Sequence, residues 1–470
     1  MERILISNLK DNIGEEVLIK GWVSTVRQQG KMAFFDLRDA GSVIQGVVFG
    51  KPEVLEVAKT IKPEYVVAIT GIVNKRPEKM VNNKTENGDI ELEITKIKIL
   101  NEAKTPPFDL TEDSRDKDEE VRLKHRSLDL RTTRMQRNIR LRSKFINLCR
   151  SFLLEKDFVE IETPLLTEST PEGSRDFVVP SRHHPGNFYA LPQSPQQYKQ
   201  LLMNAGFERY MQIARAIRDE DLRADRGYEH TQIDMEMSFV TAEDVRQVTE
   251  NMIIYSVEKL GFTIKEKPFP VISYTEAMEK YGADKFDLRT TEEKEQGILA
   301  YAWVVDFPFF EKTETGSWTF THNPFSMPKE EFLDDLLNGR NTENIIASQY
   351  DLVCNGFEVG GGSMRAHKPE IIKAVYKIMG NTEDETNEKV GHMLEAFSYG
   401  TPPHGGIALG VERNIMNLTG EESLREVQAF PMTRKGKTAV MNAPKPLSVE
   451  QLLELGITVA NDTKNDNREQ

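Results

Sequence analysis

Five segments in the first hundred residues are rich in β-branched and aromatic residues, and they restrict this part of the chain to a small β-rich fold. Each segment is bounded by glycine, asparagine or proline, which favour the turns between strands. The segments read EEVLIKGWVSTV, MAFFDLRD, VIQGVVFG, EYVVAITGIV and DIELEITKIKIL. One helical stretch, PEVLEVAKTI, lies between the third and the fourth segment. The pattern therefore predicts five strands and one helix.

The order of these elements, with the helix after the third strand, is that of an OB barrel. Barrels of this type commonly bind single-stranded nucleic acid or sugars on the face formed by strands 2 and 3. The fifth strand contains a change of parity, because Leu92 and Ile94 point to one side while Ile97 and Ile99 alternate out of phase with them. We therefore expect a β-bulge near Thr95–Lys96.

Composition narrows the class of protein. A formal net charge of −14 argues against a protein that coats DNA, although it is compatible with a local basic groove. The two cysteines, Cys149 and Cys354, have no C-x-x-C spacing, so we expect neither a disulfide framework nor a cysteine zinc site. No apolar run approaches the roughly 18 residues of a membrane helix, and the start shows no secretory signal. We therefore expect a cytoplasmic protein with no membrane segment and no DNA partner.

A charged segment with paired prolines separates the barrel from the rest of the chain. AKTPPFDLTEDSRDKDEE begins at Ala103 and is typical of a hinge. The helix after it carries an apolar stripe at helical spacing, formed by Ile139, Phe145, Ile146, Cys149, Phe152 and Leu153. Because Cys149 lies on this stripe, we expect it in the core. Short strands and helices then alternate through Phe430, which favours an α+β domain.

These patterns predict the limits of four parts of the chain. We expect a barrel over 1–102, a hinge over 103–132, an α+β domain over 133–460 and a flexible tail over 461–470. The tail sequence NDTKNDNREQ is polar throughout, as frayed termini commonly are. A chain of 470 residues is expected to hold two or three domains.

The segment RDEDLRADR, from Arg218 to Arg226, carries charges of both signs at seven of its nine positions. It lies between ERYMQIARAIRDE and HTQIDMEMSFV, which read as two antiparallel strands. Arginine binds phosphate in bidentate fashion and stays charged at any working pH. Carboxylates beside it pair with it, or hold Mg²⁺ and a ligand amine. The segment is therefore either a phosphate-binding loop or a solvated hairpin tip, and an isolated charged loop would favour the second.

Two later segments support the phosphate-binding interpretation. Asp351 and Glu358 lie seven residues apart near three successive glycines, and oxygen ligands of this kind suit Mg²⁺ carried by a nucleotide. Arg413 follows a strand of small residues at the start of a helix, a position suited to an anionic phosphate. The alternatives are exposed acids on a glycine-rich turn and a structural ion pair.

Three segments together resemble the signature motifs of the class II aminoacyl-tRNA synthetases. They are DFVEIETPLLT, with Pro164, then RAIRDEDLRADR with HTQIDME, and GIALGVER. The run TPEGSRDFVVPSRHHPGNFYALPQSPQQYKQLLM is similar to the aspartate–tRNA ligases of the bacterial type, and the similarity covers nearly the whole chain. The resemblance implies an OB barrel that binds the anticodon and a catalytic domain built on an antiparallel sheet.

The resemblance also implies substrates and partners. ATP with Mg²⁺ would activate L-aspartate, and the aspartyl-adenylate would then react with tRNA(Asp). The segment around Pro164 forms the subunit interface in the family, so a homodimer is implied. Gln29 lies near a position that influences whether tRNA(Asn) is charged as well, but glutamine there leaves both outcomes open.

Individual roles follow from the resemblance in the same way. ATP would be bound by Arg218, Glu220, Arg226, His230, Gln232, Glu358 and Arg413. Aspartate would be bound by Glu172, Ser194, Gln196, Lys199, Asp234, His322 and Arg365. Mg²⁺ would be bound by Asp351 and Glu358, and the anticodon by Arg27, Phe34 and Gln45. Alternation alone makes Phe34 nearly as good a candidate for the barrel core.

The implied chemistry needs no nucleophile or base from the protein in its first step. The substrate carboxylate would attack the α-phosphorus while Arg218 and Arg413 stabilise charge on the phosphates. Lys199 and Arg365 would face the side-chain carboxylate of aspartate, and Glu172 and Asp234 its amino group. Asparagine would leave buried charge uncompensated, and such polar pockets discriminate by ~10⁴ or more.

The sequence departs from the family at four places. The large insertion expected after Arg289 is absent, since only residues 290–302 precede WVVDFPFF. His230 replaces a phenylalanine that stacks on adenine, which would make this contact weaker and sensitive to pH. Asn323 follows His322 where a histidine pair is common. Glu412 replaces an aspartate, and glutamate there is usual in asparagine–tRNA ligases.

Two alternatives to an aspartate–tRNA ligase therefore stay open at this point. The first is an asparagine–tRNA ligase, which the retention of both Lys199 and Arg365 disfavours. The second is a non-catalytic RNA-binding paralogue, which the joint presence of Arg218, Glu220 and Arg413 with Glu358 disfavours.

Overall fold

The computed structural model describes residues 1–83, 85–111, 113–169 and 173–459. The chain divides into two compact units, Met1–Arg137 and a second unit that begins at Asn138. The segment predicted as a hinge belongs to the first unit. The domain limits at 102, 132 and 460 stay predictions, since compactness alone does not define them. The predicted tail lies outside the described residues.

The first unit is built on a closed barrel with the strand order β1-β2-β3-β5-β4. Its elements are β1 (Glu16–Gln29), β2 (Met32–Arg38), β3 (Val43–Phe49), α1 (Pro52–Thr60), β4 (Val66–Lys75) and β5 (Ile90–Asn101). Neighbouring strands are antiparallel except β3 and β5, which are parallel. The predicted five-stranded barrel, with its helix after the third strand, is confirmed.

Alternation along β2 separates the barrel core from an outer face. Ala33, Phe35 and Leu37 are buried in the barrel core. Phe34 points to the opposite side and is only partly buried. The interpretation of Phe34 as a core residue is therefore wrong, because Phe35 occupies the core at this level of the barrel.

The fifth strand contains the predicted bulge. Thr70 of β4 lies opposite Lys96, whereas the next residue, Gly71, lies opposite Ile94, so Thr95 is the extra residue. The Thr95 hydroxyl donates a hydrogen bond to the Thr70 carbonyl at 3.1 Å. The bulge reverses the side that later residues of β5 face, which explains the change of parity in the sequence.

A buried charge cluster orders the segment after the barrel. This segment contains α2 (Glu119–Lys124) and α3 (Arg126–Asp129), and α4 (Thr133–Leu154) follows it. The fully buried Asp129 carboxylate pairs with Arg126 and accepts a hydrogen bond from Ser114 at 2.6 Å. Leaving one of these charges without its partner would cost several kcal/mol (about 3–5), so the pairs fix the path of the chain.

The second unit is organised around an eight-stranded sheet with the order β11-β12-β15-β16-β17-β10-β9-β6. The strands of this unit are β6 (Val159–Glu160), β7 (Val178–Pro180), β8 (Phe188–Ala190), β9 (Arg209–Ile217), β10 (Glu229–Ser238), β11 (Val271–Ser273), β12 (Tyr301–Val305), β13 (Phe310–Lys312), β14 (Trp318–Phe320), β15 (Gln349–Cys354), β16 (Phe357–Met364) and β17 (His404–Gly410). Only the pairs β11–β12 and β6–β9 in this sheet are parallel among the described residues. The antiparallel catalytic sheet that the resemblance implies is confirmed.

Helices accompany this sheet along the chain. They are α5 (Gln196–Asn204), α6 (Ala242–Lys259), α7 (Tyr274–Tyr281), α8 (Thr291–Glu295), α9 (Leu333–Asn338), α10 (Pro369–Ile378), α11 (Glu383–Ser398), α12 (Val411–Thr419) and α13 (Val449–Glu454). None of the helices in the described ranges combines the length and the hydropathy that crossing a bilayer requires.

Strand β10 lies inside the sheet and presents one apolar and one polar face. Ile233, Met235 and Met237 enter the main core, where they pack with residues of α4 and α6. Cys149 of α4 is fully buried in the same core, as predicted. The alternate residues of β10 are polar and lie on the other side of the sheet. A period of two therefore places the core beneath the sheet and polar chemistry above it.

We predict that Gly362→Ala lowers the free energy of unfolding of the second unit by about 1–3 kcal/mol. A methyl group there would lie 2.7 Å from Tyr350 Cε2 and would overlap the Gly406 carbonyl of the neighbouring strand. Chemical denaturation followed by tryptophan fluorescence measures the loss.

The adjacent variant Gly361→Ala is the matched control. Its Cβ would have Asp351 Oδ1 at 3.2 Å as its nearest neighbour, and that carboxylate can shift. Equal destabilisation by the two substitutions would contradict the close approach of β16 and β17.

Candidate active site

The polar face of β10 supplies His230, Gln232, Asp234 and Glu236 in alternate positions. The residues paired with the last three on β17 are Gly410, Ala408 and Gly406. These small residues leave space above the sheet, and a Cβ at Gly406 would overlap the Glu236 carboxylate. The glycine-rich strands are therefore needed so that polar side chains and a ligand fit above them.

A cleft of about 250 Å³ opens at one end of this polar face. Every residue predicted to bind ATP lines it, namely Arg218, Glu220, Arg226, His230, Gln232, Glu358 and Arg413. Asp225, Lys285 and Glu412 line it as well. The structure thus brings together the charged segment, the glycine-rich strand and the last motif. The role of each residue stays a prediction.

The cations of the cleft are held by acceptors that belong to the protein. Arg413 Nη2 lies 3.1 Å from Asp225 Oδ2, and its Nη1 donates to the Glu358 carbonyl at 2.9 Å. Arg226 pairs with Glu220 at 3.2 Å. Arg218 Nε donates to the Gln193 carbonyl at 3.2 Å. These contacts fix the cations around the cleft before any phosphate binds.

His230 is neutral at physiological pH. Its pKa is lowered to about 4, mainly by burial. The neighbouring Arg218 and Arg413 also act to lower this pKa, whereas Glu412 and Glu220 act to raise it. The expectation that a histidine here makes nucleotide binding sensitive to pH is therefore wrong near neutrality. A neutral imidazole presents an uncharged flat ring, as a phenylalanine does.

Four buried charges form a network at the other end of the polar face. Lys199 Nζ of α5 lies 2.7 Å from Asp234 Oδ1 and 3.2 Å from Glu236 Oε2. Arg365 Nε donates to Glu236 Oε1 at 2.9 Å. Each of the four side chains is at most 3% exposed. Two cations predicted to recognise a carboxylate thus converge on one point.

Glu236 is the residue of this network that sequence reasoning missed. It lies two residues after Asp234, on the same face of β10, so the period of two was the available signal. Burial acts to raise the pKa of Glu236, but Arg365 and Lys199 outweigh it and the pKa is lowered. Glu236 therefore stays ionised and holds the two cations together.

Two acceptors in this region lack a hydrogen-bond partner among the described residues. They are Asp234 Oδ2 and Gln232 Oε1, and both are buried. Burial raises the pKa of Asp234, although Lys199 opposes the shift. Buried acceptors without donors are costly and mark a place where a ligand supplies the donor. Asp234 Oδ2 and Gln232 Oε1 are therefore candidate acceptors for such a donor.

Asp351, Glu358 and His322 gather around Gly361. A Cβ on this glycine would have Asp351 Oδ1 at 3.2 Å, Glu358 Oε1 at 3.3 Å and His322 Cε1 at 3.3 Å. Burial and then Glu358 raise the pKa of Asp351 well above its usual value. Burial lowers the pKa of His322 to about 4, and Arg365, Arg218 and Lys199 act in the same direction. His322 therefore lies beside the two candidate Mg²⁺ ligands.

The carboxylate pair fits a divalent cation that arrives with phosphate. The described residues contain no group of three or more His, Cys, Asp or Glu side chains arranged to hold a metal. Mg²⁺ does not need such a group, because it usually takes one or two carboxylates and fills its other positions with water and phosphate oxygens. Burial and the neighbouring Glu358 disfavour the ionised form of Asp351, so a cation bound there would stabilise it.

Two described residues predicted to bind aspartate, Ser194 and Gln196, make local contacts within the protein. Ser194 Oγ accepts a hydrogen bond from the Gln196 amide at 3.2 Å and lines a separate recess of about 160 Å³. The Gln196 side chain donates to Gln200 at 2.9 Å, and Gln200 contacts His404. Glu172 lies outside the described residues. Neither Ser194 nor Gln196 lines the cleft described above.

Two of the departures from the family pattern have structural explanations. Asn323 Oδ1 accepts a hydrogen bond from the Phe325 amide at 2.9 Å and so fixes the turn after His322. The Glu412 carboxylate accepts from the Thr231 amide at 3.0 Å and pairs with Arg142 at 2.9 Å. Glu412 therefore supports the start of β10 through two buried contacts.

The three residues predicted to bind an anticodon lie on one face of the barrel. Arg27 Nη2 donates to Asp36 at 3.1 Å and to Gln45 at 3.3 Å. Phe34 lies directly opposite Arg27 in the β1–β2 ladder. Arg27 and Gln45 line a cavity of about 310 Å³ in the first unit. Cations beside a partly exposed aromatic ring are the combination that binds unstacked bases.

Family models match both units. The model described as tRNA synthetases class II (D, K and N) matches residues 118–434. The model described as OB-fold nucleic acid binding domain matches residues 17–100.

Curated relatives match over nearly their full lengths. An aspartate–tRNA(Asp/Asn) ligase of Geobacillus sp. is 38% identical, over 97% of this chain and 97% of the relative. An aspartate–tRNA ligase of Oceanobacillus iheyensis is 37% identical, over 99% and 100%. The first alignment runs over 581 positions against the 470 residues of this chain, so the relative contains sequence that this chain lacks.

Solved structures share the fold. A putative aspartyl-tRNA synthetase from Leishmania major superimposes with a TM-score of 0.75 at 23% identity, covering 92% of this chain and 94% of the other. An asparaginyl-tRNA synthetase from Pyrococcus horikoshii gives 0.74 at 22% identity, covering 92% and 98%.

We predict that His230→Phe changes the dissociation constant of ATP by the same factor at pH 6.5 and at pH 8. With a pKa of about 4, His230 carries no proton across this range, so ionisation of the ring does not alter the contact. Isothermal titration calorimetry measures both constants. A ratio of wild-type to variant that changes with a midpoint near 6.5 would contradict the lowered pKa.

Proposed function

The chain belongs to the class II tRNA synthetases, and we propose that it attaches L-aspartate to tRNA(Asp) with conversion of ATP to AMP and pyrophosphate. Its curated relatives are named as ligases of aspartate, with tRNA(Asp/Asn) or tRNA as the acceptor. The substrate assignment is supported by the donors that the buried network leaves unused.

Lys199 and Arg365 each retain an N–H group for a ligand. The Lys199 ammonium has three donors and contacts two acceptors, Asp234 and Glu236. The Arg365 guanidinium has five donors and makes four contacts, two with Glu236, one with Ser363 and one with the Gly406 carbonyl. Counting contacts with the described residues, one donor from each side chain is left for an incoming acceptor. This is the observation that carries the proposal.

Two converging donors discriminate between the side chains of aspartate and asparagine. A carboxylate offers an acceptor oxygen to each donor and adds charge compensation. A carboxamide has the same shape but turns its NH₂ group, which is a donor, towards one of them. That arrangement leaves buried N–H groups facing each other, and polar sites of this kind reject such an isostere by large factors.

The amino group and the α-carboxylate have positions consistent with this binding mode. Asp234 Oδ2 and Gln232 Oε1 would accept from the ammonium group. Asp234 belongs to the buried network and Gln232, two residues earlier on β10, lines the cleft, so the α-carboxylate would point towards Arg218 and the nucleotide. The two reacting groups are then held on one face of the sheet.

Activation requires orientation and charge stabilisation. An oxygen of the aspartate α-carboxylate forms a bond to the α-phosphorus of ATP. The bond from that phosphorus to the oxygen that bridges it to the β-phosphorus breaks, and pyrophosphate is released. Arg218 and Arg413 stabilise negative charge on the phosphates. Mg²⁺ held at Asp351 and Glu358 would supply further charge neutralisation. A terminal tRNA hydroxyl then attacks the mixed anhydride and releases AMP.

The barrel provides the second contact with tRNA. Arg27, Phe34 and Gln45 would bind the anticodon, with Phe34 as a stacking platform. We also propose a homodimer that forms through the segment around Pro164, where Leu165 and Leu166 are both 52% exposed. Translation enzymes act with tRNA in the cytoplasm, which is the compartment we propose.

Asparagine is the weaker candidate substrate. Glu412, which pointed towards an asparagine–tRNA ligase in the sequence, is engaged by Arg142 and the Thr231 amide. These contacts give the Glu412 carboxylate a structural role, so its presence does not by itself indicate asparagine. The named curated relatives also point to aspartate.

We predict that ATP–pyrophosphate exchange with L-aspartate exceeds exchange with L-asparagine by at least ~10³ in kcat/KM. Lys199→Met should abolish most of the aspartate-dependent rate, because it removes one donor and leaves Asp234 uncompensated. Lys294→Met serves as the control, because Lys294 lies on α8 with a 51% exposed side chain and pairs with Asp287. Efficient exchange with asparagine would contradict the assignment.

We predict that Phe34→Ala lowers kcat/KM for aminoacylation of tRNA(Asp) about tenfold, in line with ~1–3 kcal/mol of stacking per base. Exchange without tRNA should stay unchanged, since this contact involves only tRNA. Leu100→Ala removes a 45% exposed side chain of β5 in the same barrel and is the control. Parallel reactions with tRNA(Asn) show whether that tRNA is also a substrate. An equal effect of both alanine variants would argue against a specific role for Phe34.

A further inference from the structure

Lys285 is a fourth cation in the nucleotide cleft, besides Arg218, Arg226 and Arg413. Its ammonium group lies 3.0 Å from Glu358 Oε2. Arg413 Nη1 lies 3.7 Å from the same carboxylate oxygen. Lys285 and Arg413 therefore flank a carboxylate that is also one of the two candidate Mg²⁺ ligands.

The segment that carries Lys285 is anchored on both sides of it. Gly282 ends α7 in the left-handed conformation, and the next buried residue, Phe286, stacks on Tyr281 with ring centroids 4.4 Å apart. The Phe286 carbonyl accepts a hydrogen bond from the Gly356 amide at 3.0 Å. Gly356 lies in the turn that leads into Glu358. The backbone around Lys285 is thus fixed beside the strand that carries its partner.

An ion pair stabilises the end of this segment. Asp287 accepts hydrogen bonds from Nε and Nη2 of Arg289, each at 3.0 Å. Lys294 lies 3.2 Å from the same carboxylate. Lys294 therefore belongs to a structural contact, whereas Lys285 points to the cleft. This difference makes the two lysines a matched pair for comparison.

In this position the Lys285 side chain stays charged and accessible from the cleft. Its side chain is 41% exposed, so the ammonium group is accessible from the cleft. Burial acts to lower its pKa, but Glu358 outweighs this and the pKa is raised. Lys285 contacts Glu358 through one oxygen, and a cation bound at Glu358 would compete with the lysine for this contact. A lysine ammonium has three donors on a flexible chain, so it can turn to another acceptor.

We propose that Lys285 is a further phosphate-binding residue, which exchanges its contact with Glu358 for the β- and γ-phosphates of ATP and then for the departing pyrophosphate. The inference rests on the proposed adenylate-forming function. When the bond between the α-phosphorus and the bridging oxygen breaks, its electron pair stays on pyrophosphate, and Lys285 stabilises that charge without transferring a proton. Arg413, which approaches the same Glu358 oxygen, completes the clamp.

Equilibrium binding of three ligands tests this role. ATP, AMP and inorganic pyrophosphate, each with Mg²⁺, are titrated by calorimetry into the full-length wild-type protein and the variants Lys285→Met, Lys285→Arg and Lys294→Met. For Lys285→Met we expect ATP and pyrophosphate to bind at least about tenfold more weakly, while AMP changes less than twofold. Lys285→Arg should retain most of the affinity, and Lys294→Met should match the wild type.

Two results would overturn the inference. One is that Lys285→Met weakens the binding of AMP and the binding of ATP by the same factor, which would mean that the lysine only maintains the shape of the cleft. The other is unchanged binding of pyrophosphate, which would leave Lys285 as a counterion of Glu358. Aspartate-dependent exchange by the wild type separately tests the proposed function, so failure of one does not imply failure of the other.

Discussion

Charge pairing inside a low-dielectric region is the constraint on which the rest of the catalytic unit depends. Lys199, Asp234, Glu236 and Arg365 are buried together above the sheet, and each is tolerated only because an opposite charge lies within hydrogen-bonding distance. The pairs also dictate the backbone. Only glycine or alanine on β17 leaves room for the carboxylates of β10, and only a strand with period two keeps them apart from the core beneath. The same buried charge network thus constrains the fold of the sheet and the proposed choice of substrate.

Opposite charges are also paired at the nucleotide end of the site, where the side chains are more exposed to solvent. There Arg226, Lys285 and Arg413 pair with carboxylates that line the cleft, and Arg218 donates to a backbone carbonyl, so the cations are in position before the nucleotide arrives. Positioned charge of this kind avoids reorganisation during the reaction. Neutral histidines complete the pattern. Burial and neighbouring arginines lower the pKa of both His230 and His322 to about 4, so neither adds a further positive charge at physiological pH.

Much of this architecture could be predicted from the sequence, and the omissions have a common cause. Strand order, the bulge at Thr95 and the buried position of Cys149 follow from periodicity, because local geometry controls them. The residues that line the ATP cleft were predicted from motifs that resemble those of the class II aminoacyl-tRNA synthetases. Glu236 and Lys285 were missed because each is recognised by partners distant in sequence, Arg365 and Lys199 for Glu236 and Glu358 for Lys285, which only the fold brings together. The pKa of His230 and the outward direction of Phe34 depend on neighbours that only the folded chain supplies.

Recognition of the diacid by the unused donors of Lys199 and Arg365 is the central claim. A crystal structure of the protein with L-aspartate and a non-hydrolysable ATP analogue tests it most directly. The account predicts that the side-chain carboxylate lies within about 2.7–3.2 Å of both Lys199 Nζ and Arg365 Nη1, while Glu236 keeps its contacts with the two cations. A bound aspartate whose side-chain carboxylate contacts neither cation would contradict it.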